Sequence, residues 1–184
     1  MTDVIGEIWG KKEANMAVMG LDKKVDDAIL LRDYPKHIKF DDGQKTAFNR
    51  LNPALKKLVY CIVKELPKLS EKLGYTIGIA ITSSTRDATV NGNGGSDHLI
   101  NGNPSKRRMA LVGTNHKGEE VSYATMGCAV DMVGTKNGQK DYGEASINIF
   151  DLIAKNCHKY IRQLIWEVKN QGTSENRITL IHLA

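Results

Sequence analysis

Tyr75-Thr76-Ile77-Gly78-Ile79-Ala80-Ile81-Thr82 is the stretch on which the fold turns. It is short, apolar and rich in β-branched side chains, with Gly74 before it and Ser83-Ser84-Thr85-Arg86 after it. Those features favour a buried strand over a helix. The strand would deliver Ser83, Ser84 and Arg86 to the loop at its end. Loops carried on a rigid strand are a usual place for site residues.

Working outward, a helix precedes this strand. Asn52-Pro53 reads as its start, since Asn is a good N-cap and Pro suits the first helical position. Leu55, Leu58, Val59, Ile62, Val63 and Leu66 then recur at helical spacing and form one buried stripe. Pro67 is expected to kink or end that helix, with a further turn or two from Lys68 to Leu73 stopping at Gly74. Residues 1–45 read as an N-terminal arm or extension. Within them, helical periodicity from Ala14 to Leu31 is interrupted at Gly20, Tyr34-Pro35 is a break, and Asp41-Asp42-Gly43 is a turn.

Strands dominate the C-terminal half of the chain. A hairpin is predicted within 107–125, with Met109-Ala110-Leu111-Val112 and Val121-Ser122-Tyr123-Ala124 flanking a turn around Asn115 to Gly118. Gly127 to Val133 reads as a further strand, whose alternation sets Asp131 on the face opposite Val130 and Met132. Residues 134–143 read as a polar loop. Glu144 to Tyr160 reads as an amphipathic helix with Ile149, Leu152, Ile153 and Cys157 near one face. Arg162 to Val168 and Arg177 to Leu183 are expected to pair as antiparallel strands. The fold class is then α+β, with helices packed on a small, mostly antiparallel sheet, and residues 46–184 form one domain.

Composition narrows the function classes. The 184 residues suffice for one domain with a proper core. Hydrophobic residues at 41% and charged residues at 26% suit an ordinary globular domain. No apolar run approaches the ~20 residues needed to cross a bilayer, so no membrane insertion is expected. The N-terminal Met1-Thr2-Asp3-Val4-Ile5-Gly6-Glu7 is no signal peptide, which points to a chain that is cytoplasmic as synthesised. The net charge of +5 suits an anionic partner without selecting one. Aromatics at 6% and the lack of a recognised motif argue against nucleic acid as that partner. Cys61, Cys128 and Cys157 are odd in number and form no C-x-x-C pair, so they read as core rather than as a disulfide framework or zinc knuckle.

The candidate site begins with Asp131. A carboxylate inside an apolar strand needs a cation, a hydrogen-bond donor or a metal, because burying it unpaired is costly. His98 comes after the turn Asn91-Gly92-Asn93-Gly94-Gly95, and His182 lies at the end of the last strand. Two imidazoles and one carboxylate, with a fourth position open for water, form a donor set for catalytic zinc. The same set also suits iron(II).

The order of these residues resembles the zinc peptidases of the D-Ala-D-Ala carboxypeptidase and phage endolysin family. Ser83-x-x-Arg86, Val90-Asn91, Gly94-Gly95-Ser96-x-His98-Leu99, Gly127-x-Ala129-x-Asp131 and Gln163-Leu164-Ile165-x-Glu167 ahead of His182 occur in the family's order. The resemblance covers residues 50–184 and is strongest from 78 to 131. It implies a Hedgehog- and D-Ala-D-Ala-peptidase-like fold, with Zn2+ held by His98, Asp131 and His182. It implies Glu167 as the catalytic acid/base, and Arg86 as the partner of a substrate carboxylate, assisted by Ser83 or Ser96. The implied substrate is a peptidoglycan stem peptide, cut by a carboxypeptidase or endopeptidase. A cell-wall lytic enzyme of phage or bacterial type, reaching the wall after release or on a virion, is the protein such residues would serve.

Two departures from the family pattern stand out. The family carries both ligands in one short run, S-x-H-x-x-G-x-A-x-D, whereas here residues 99–130 intervene, with an inserted hairpin over about 103–126. Such an insertion is tolerated if its ends lie close together, because loop length adds little free energy. Many relatives also place Asp or Glu three residues before the last His. That position is Thr179, which cannot act as a base at neutral pH, so the role falls to Glu167. The rival reading is a catalytically impaired domain of the same fold that binds cell wall or serves a phage structure, with residues 1–45 as its docking segment.

Overall fold

The computed structural model of the chain describes residues 24–51, 53–87, 99–100, 112–114, 120–122, 129–157, 164–167 and 180–183. Strand β2 (Ile77–Ser83) lies inside the main sheet and covers most of the apolar stretch 75–82. It pairs parallel with the short edge strand β1 (Ile38–Phe40) and antiparallel with β7 (Val130–Lys136). β7 pairs antiparallel with β10 (Leu180–Leu183), which pairs antiparallel with β9 (Leu164–Glu167). β8 (Gln139–Lys140) folds back on β7, and the sheet order is β1-β2-β7-β10-β9. Two smaller pairs stand apart. β3 (Arg86–Asp87) runs parallel to β4 (Leu99–Ile100), and β5 (Val112–Thr114) is antiparallel to β6 (Glu120–Ser122). The architecture is α+β with a mostly antiparallel sheet.

Four helices accompany the sheet among the described residues: α1 (Asp27–Asp33), α2 (Gln44–Asn49), α3 (Pro53–Leu73) and α4 (Glu144–Asn156). Strand alternation puts Ile77, Ile79, Ile81, Val130 and Met132 on one face, joined by Ile181 of β10. All are fully buried, in one core with Leu58, Ile62 and Leu66 of α3 and Ile149, Leu152 and Ile153 of α4. Each such side chain stabilises the fold by about 1.5–3 kcal/mol relative to exposure. Cys61 and Cys157 lie in the same core, where burial pushes their thiols up to about 11 and about 12. Cys128 lies outside the described residues.

The local details correct several expectations. α3 does not end at Pro67 but runs on to Leu73 as one helix. The proline removes one backbone donor. The Ser70 hydroxyl nevertheless donates to the Leu66 carbonyl at 2.8 Å, and the stripe of Leu66 and Leu69 keeps packing across it. Gly74, at φ 77°, then closes the helix in the left-handed region, and its N–H donates to Ser70 O.

Residues 134–143 are not a polar loop. β7 continues to Lys136, turns through Asn137 (φ 50°) and Gly138 (φ 82°), and returns as β8. Asn-Gly with two positive φ values is the two-residue hairpin turn whose twist matches its strands. Gly138→Ala should destabilise the protein by about 1 kcal/mol, because a side chain strains that conformation although nothing crowds the position. Urea unfolding of the two proteins checks it.

α4 starts where expected but ends at Asn156, capped by Cys157 rather than reaching Tyr160. The Asp141 carboxylate accepts from the Gly143 and Ala145 N–H groups at 3.0 Å each and so fixes the helix start.

Of residues 1–45, those from 24 onward belong to the same core. Val25, Leu30 and Ile38 are buried, and the Asp26 carboxylate caps α1 by accepting from Ile29 N–H at 2.8 Å. Asn49 Nδ2 donates to the Asp27 carboxylate and the Asp27 N–H donates to Asn49 Oδ1, which ties α1 to α2. The strand β1 and helix α2 were not expected from the sequence.

Candidate functional site

Three strands bring the expected site positions into one row. Asp131 on β7 stands directly opposite His182 on β10. On its other side it stands opposite Ser83 on β2. His182 in turn stands opposite Ile165 on β9. Directly opposed residues share a face of the sheet, with Cβ atoms about 4.5–5.5 Å apart. Asp131 is itself only 6% exposed, so the row includes a buried carboxylate. Its neighbours Met132 and Ile181 occupy the face packed on the helices. The row therefore lies on the face turned away from α3 and α4.

Ser83 reaches this row through an irregularity. Ile81 pairs with Met132, but the next paired residue of β2 is Ser83, not Thr82, opposite Asp131. The extra residue is a bulge, a device that re-aims one position of a strand. The chain just beyond is tied down. The Thr85 hydroxyl donates to Ala47 O at 2.7 Å, and Ser84 and Thr85 are buried. Asp41 N–H donates to Ile81 O at 3.0 Å, which binds the residue just after β1 to the end of β2.

Glu167 also belongs to this face. It lies two residues beyond Ile165 on β9, opposite Leu180, which makes it a diagonal neighbour of His182. Diagonal neighbours lie roughly 7–8 Å apart.

Arg86 lies in β3, where it pairs with Leu99. This bears on the long segment between the two halves of the expected motif. One end of that segment, Leu99, is bonded beside Arg86. The other end, Asp131, is paired with Ser83. Ser83 and Arg86 are three residues apart in the chain, so their Cα atoms lie within roughly 11 Å. Both ends of the intervening segment therefore return to the end of β2, as a tolerated insertion requires. The paired strands β5 and β6 lie inside that segment.

Ser96 and His98 lie outside the described residues, as does Thr179. Of His182, Glu167 and Arg86, the strand positions define the arrangement. Among the described residues no group of three His, Cys, Asp or Glu is placed to hold a metal, and a set of three requires His98. What is described is one buried carboxylate, Asp131, with the His182 position on the adjacent rung. No helix among the described residues is long and apolar enough to cross a membrane. No protein-family model matches this chain, and no curated protein or solved structure matches it either.

Proposed function

We propose that the chain is a zinc-dependent peptidase that cleaves peptidoglycan stem peptides, with the Hedgehog- and D-Ala-D-Ala-peptidase-like fold that its motif order resembles. The observation that carries this reading is the register that sets Asp131 opposite His182 and beside Ser83, at the point where both ends of residues 99–130 return. His98, Asp131 and His182 would hold the ion. Zinc bound there supplies Lewis acidity to the scissile carbonyl and acidifies a water.

The chain's own groups do the rest. Glu167 takes a proton from the attacking water and returns it to the leaving amine. Arg86 pairs with a carboxylate of the peptide through a forked, charge-assisted contact, and Ser83 or Ser96 assists in orienting it.

Glu167→Gln is the direct test. The variant should retain zinc at the wild-type level and lose peptidoglycan-digesting activity by about 10²–10⁴-fold, the usual worth of a positioned acid/base. Undiminished activity would remove Glu167 from the mechanism. An intact zinc site without hydrolysis in the wild type would instead favour a wall-binding domain.

A further inference from the structure

At the other end of β2 lies a cavity of about 430 Å³, between β1 and the β7–β8 turn. Six of the residues that line it are Lys36, Lys39, Thr76, Thr135, Asn137 and Gly138. From Thr76 to Ser83 a strand covers roughly 23 Å, so this cavity is remote from the Asp131 row. Beside the lining residue Thr135, Gly78 stands opposite it on β2 and leaves no space for a side chain. A Cβ there would lie 2.6 Å from Thr135 Oγ1 and 2.9 Å from His37 O.

Pro35 and Ile38 add apolar surface to the lining, and among the described residues its polar members include no carboxylate. Among the described residues, Asp41 is paired with Lys140 at 2.7 Å and Glu144 with Lys136 at 3.1 Å. Lys39 donates to the neutral Gly138 carbonyl at 2.8 Å, and among the described residues no carboxylate pairs with it. Asn137 Oδ1 accepts from the Thr76 N–H at 3.0 Å, which turns its amide NH2 to other acceptors, none of them among the described residues. Lys36 and the Thr76 and Thr135 hydroxyls complete the set. Two ammonium groups beside neutral donors are complementary to an oxyanion.

We propose that this cavity binds a small organic anion through a phosphate or carboxylate group, with Lys36 and Lys39 as its charged contacts. The test is calorimetric titration of the full chain with inorganic phosphate and, separately, with acetate, at ionic strength held constant with chloride. Saturable binding of one anion per chain is expected. Lys36→Gln combined with Lys39→Gln should weaken it roughly 100-fold, about tenfold per charged contact. Tighter binding of phosphate identifies a phosphorylated ligand, and tighter binding of acetate a carboxylate. Lys36 is exposed, so Lys36→Gln alone, with an expected tenfold loss, serves if the double variant fails to fold. Binding no stronger than that of chloride, or equal binding by a folded double variant, overturns the proposal.

Discussion

On the proposed zinc-peptidase reading, Asp131→Ala should lower metal content from about one zinc per chain to almost none after dialysis, and reduce peptidoglycan digestion to background. The argument turns on what a buried carboxylate at this rung is for. Asp131 stands in the ladder between Ser83 and His182 and is 6% exposed. If its role were only structural, its loss would lower stability and leave metal content unchanged. If it is a ligand, metal content falls as well, and the melting temperature of the wild type rises with added zinc while that of the variant does not.

Elemental analysis and thermal unfolding, run with and without supplied zinc, separate the two cases. Asp131→Asn keeps the volume and removes the charge, so it guards against a variant that merely fails to pack. His98→Ala tests the ligand on the far side of residues 99–130 and should lose zinc in the same way. A wild-type protein that takes up no zinc when it is supplied would end the peptidase reading while leaving the α+β fold intact.

How much of this was legible in the sequence depended on whether the signal was local. The β-branched run from Tyr75 to Thr82 and the Leu55-to-Leu66 stripe each carry their own period, and both elements occur with boundaries shifted by a few residues. The pairing of Leu164–Glu167 with Leu180–Leu183 also came from sequence, because adjacent strands joined by a turn pair antiparallel by default. Asn137-Gly138 was equally legible and was missed, since the polar residues around it resembled a loop more than two short strands. The dipeptide itself was the signal.

Other features had no local signal. β1 is three residues long and pairs parallel with β2, a contact between distant segments that no short pattern announces. The bulge at Thr82 is likewise set by tertiary pairing. Sequence placed Ser83 in a loop, whereas the register places it in the ladder beside Asp131. The donor types at the Asp131 row could be read from residue identities. Their alignment on adjacent rungs depended on registers that are fixed only when the sheet packs against its helices.

Among the described glycines, Gly134→Ala should produce the largest loss of stability, about 3 kcal/mol or more. Gly134 lies on β7 opposite Ile79, on the face that receives α4. A Cβ there would stand 2.4 Å from Ser146 N, 2.5 Å from Ala145 C and 2.7 Å from Ser146 Cα. All three are backbone atoms of the first turn of a helix, so no rotamer change relieves the contact. The helix start is also fixed from both sides. The Ser146 hydroxyl accepts from Gly134 N–H at 2.8 Å and donates to Asp141 O, while Asp141 N–H donates back to Gly134 O at 2.8 Å. Moving α4 away would break the buried Gly134–Ser146 bond, a loss of about 1–3 kcal/mol, and would draw Ile149, Leu152 and Ile153 off the sheet. Overpacking by itself typically costs about 1–3 kcal/mol, and here the two effects act together. Gly138→Ala, with open space around it, is the matched control at about 1 kcal/mol. Urea unfolding of both variants decides the matter. Equal losses at the two glycines would mean that α4 does not pack against β7 at this distance, because backbone strain alone would then account for Gly138 and nothing specific for Gly134.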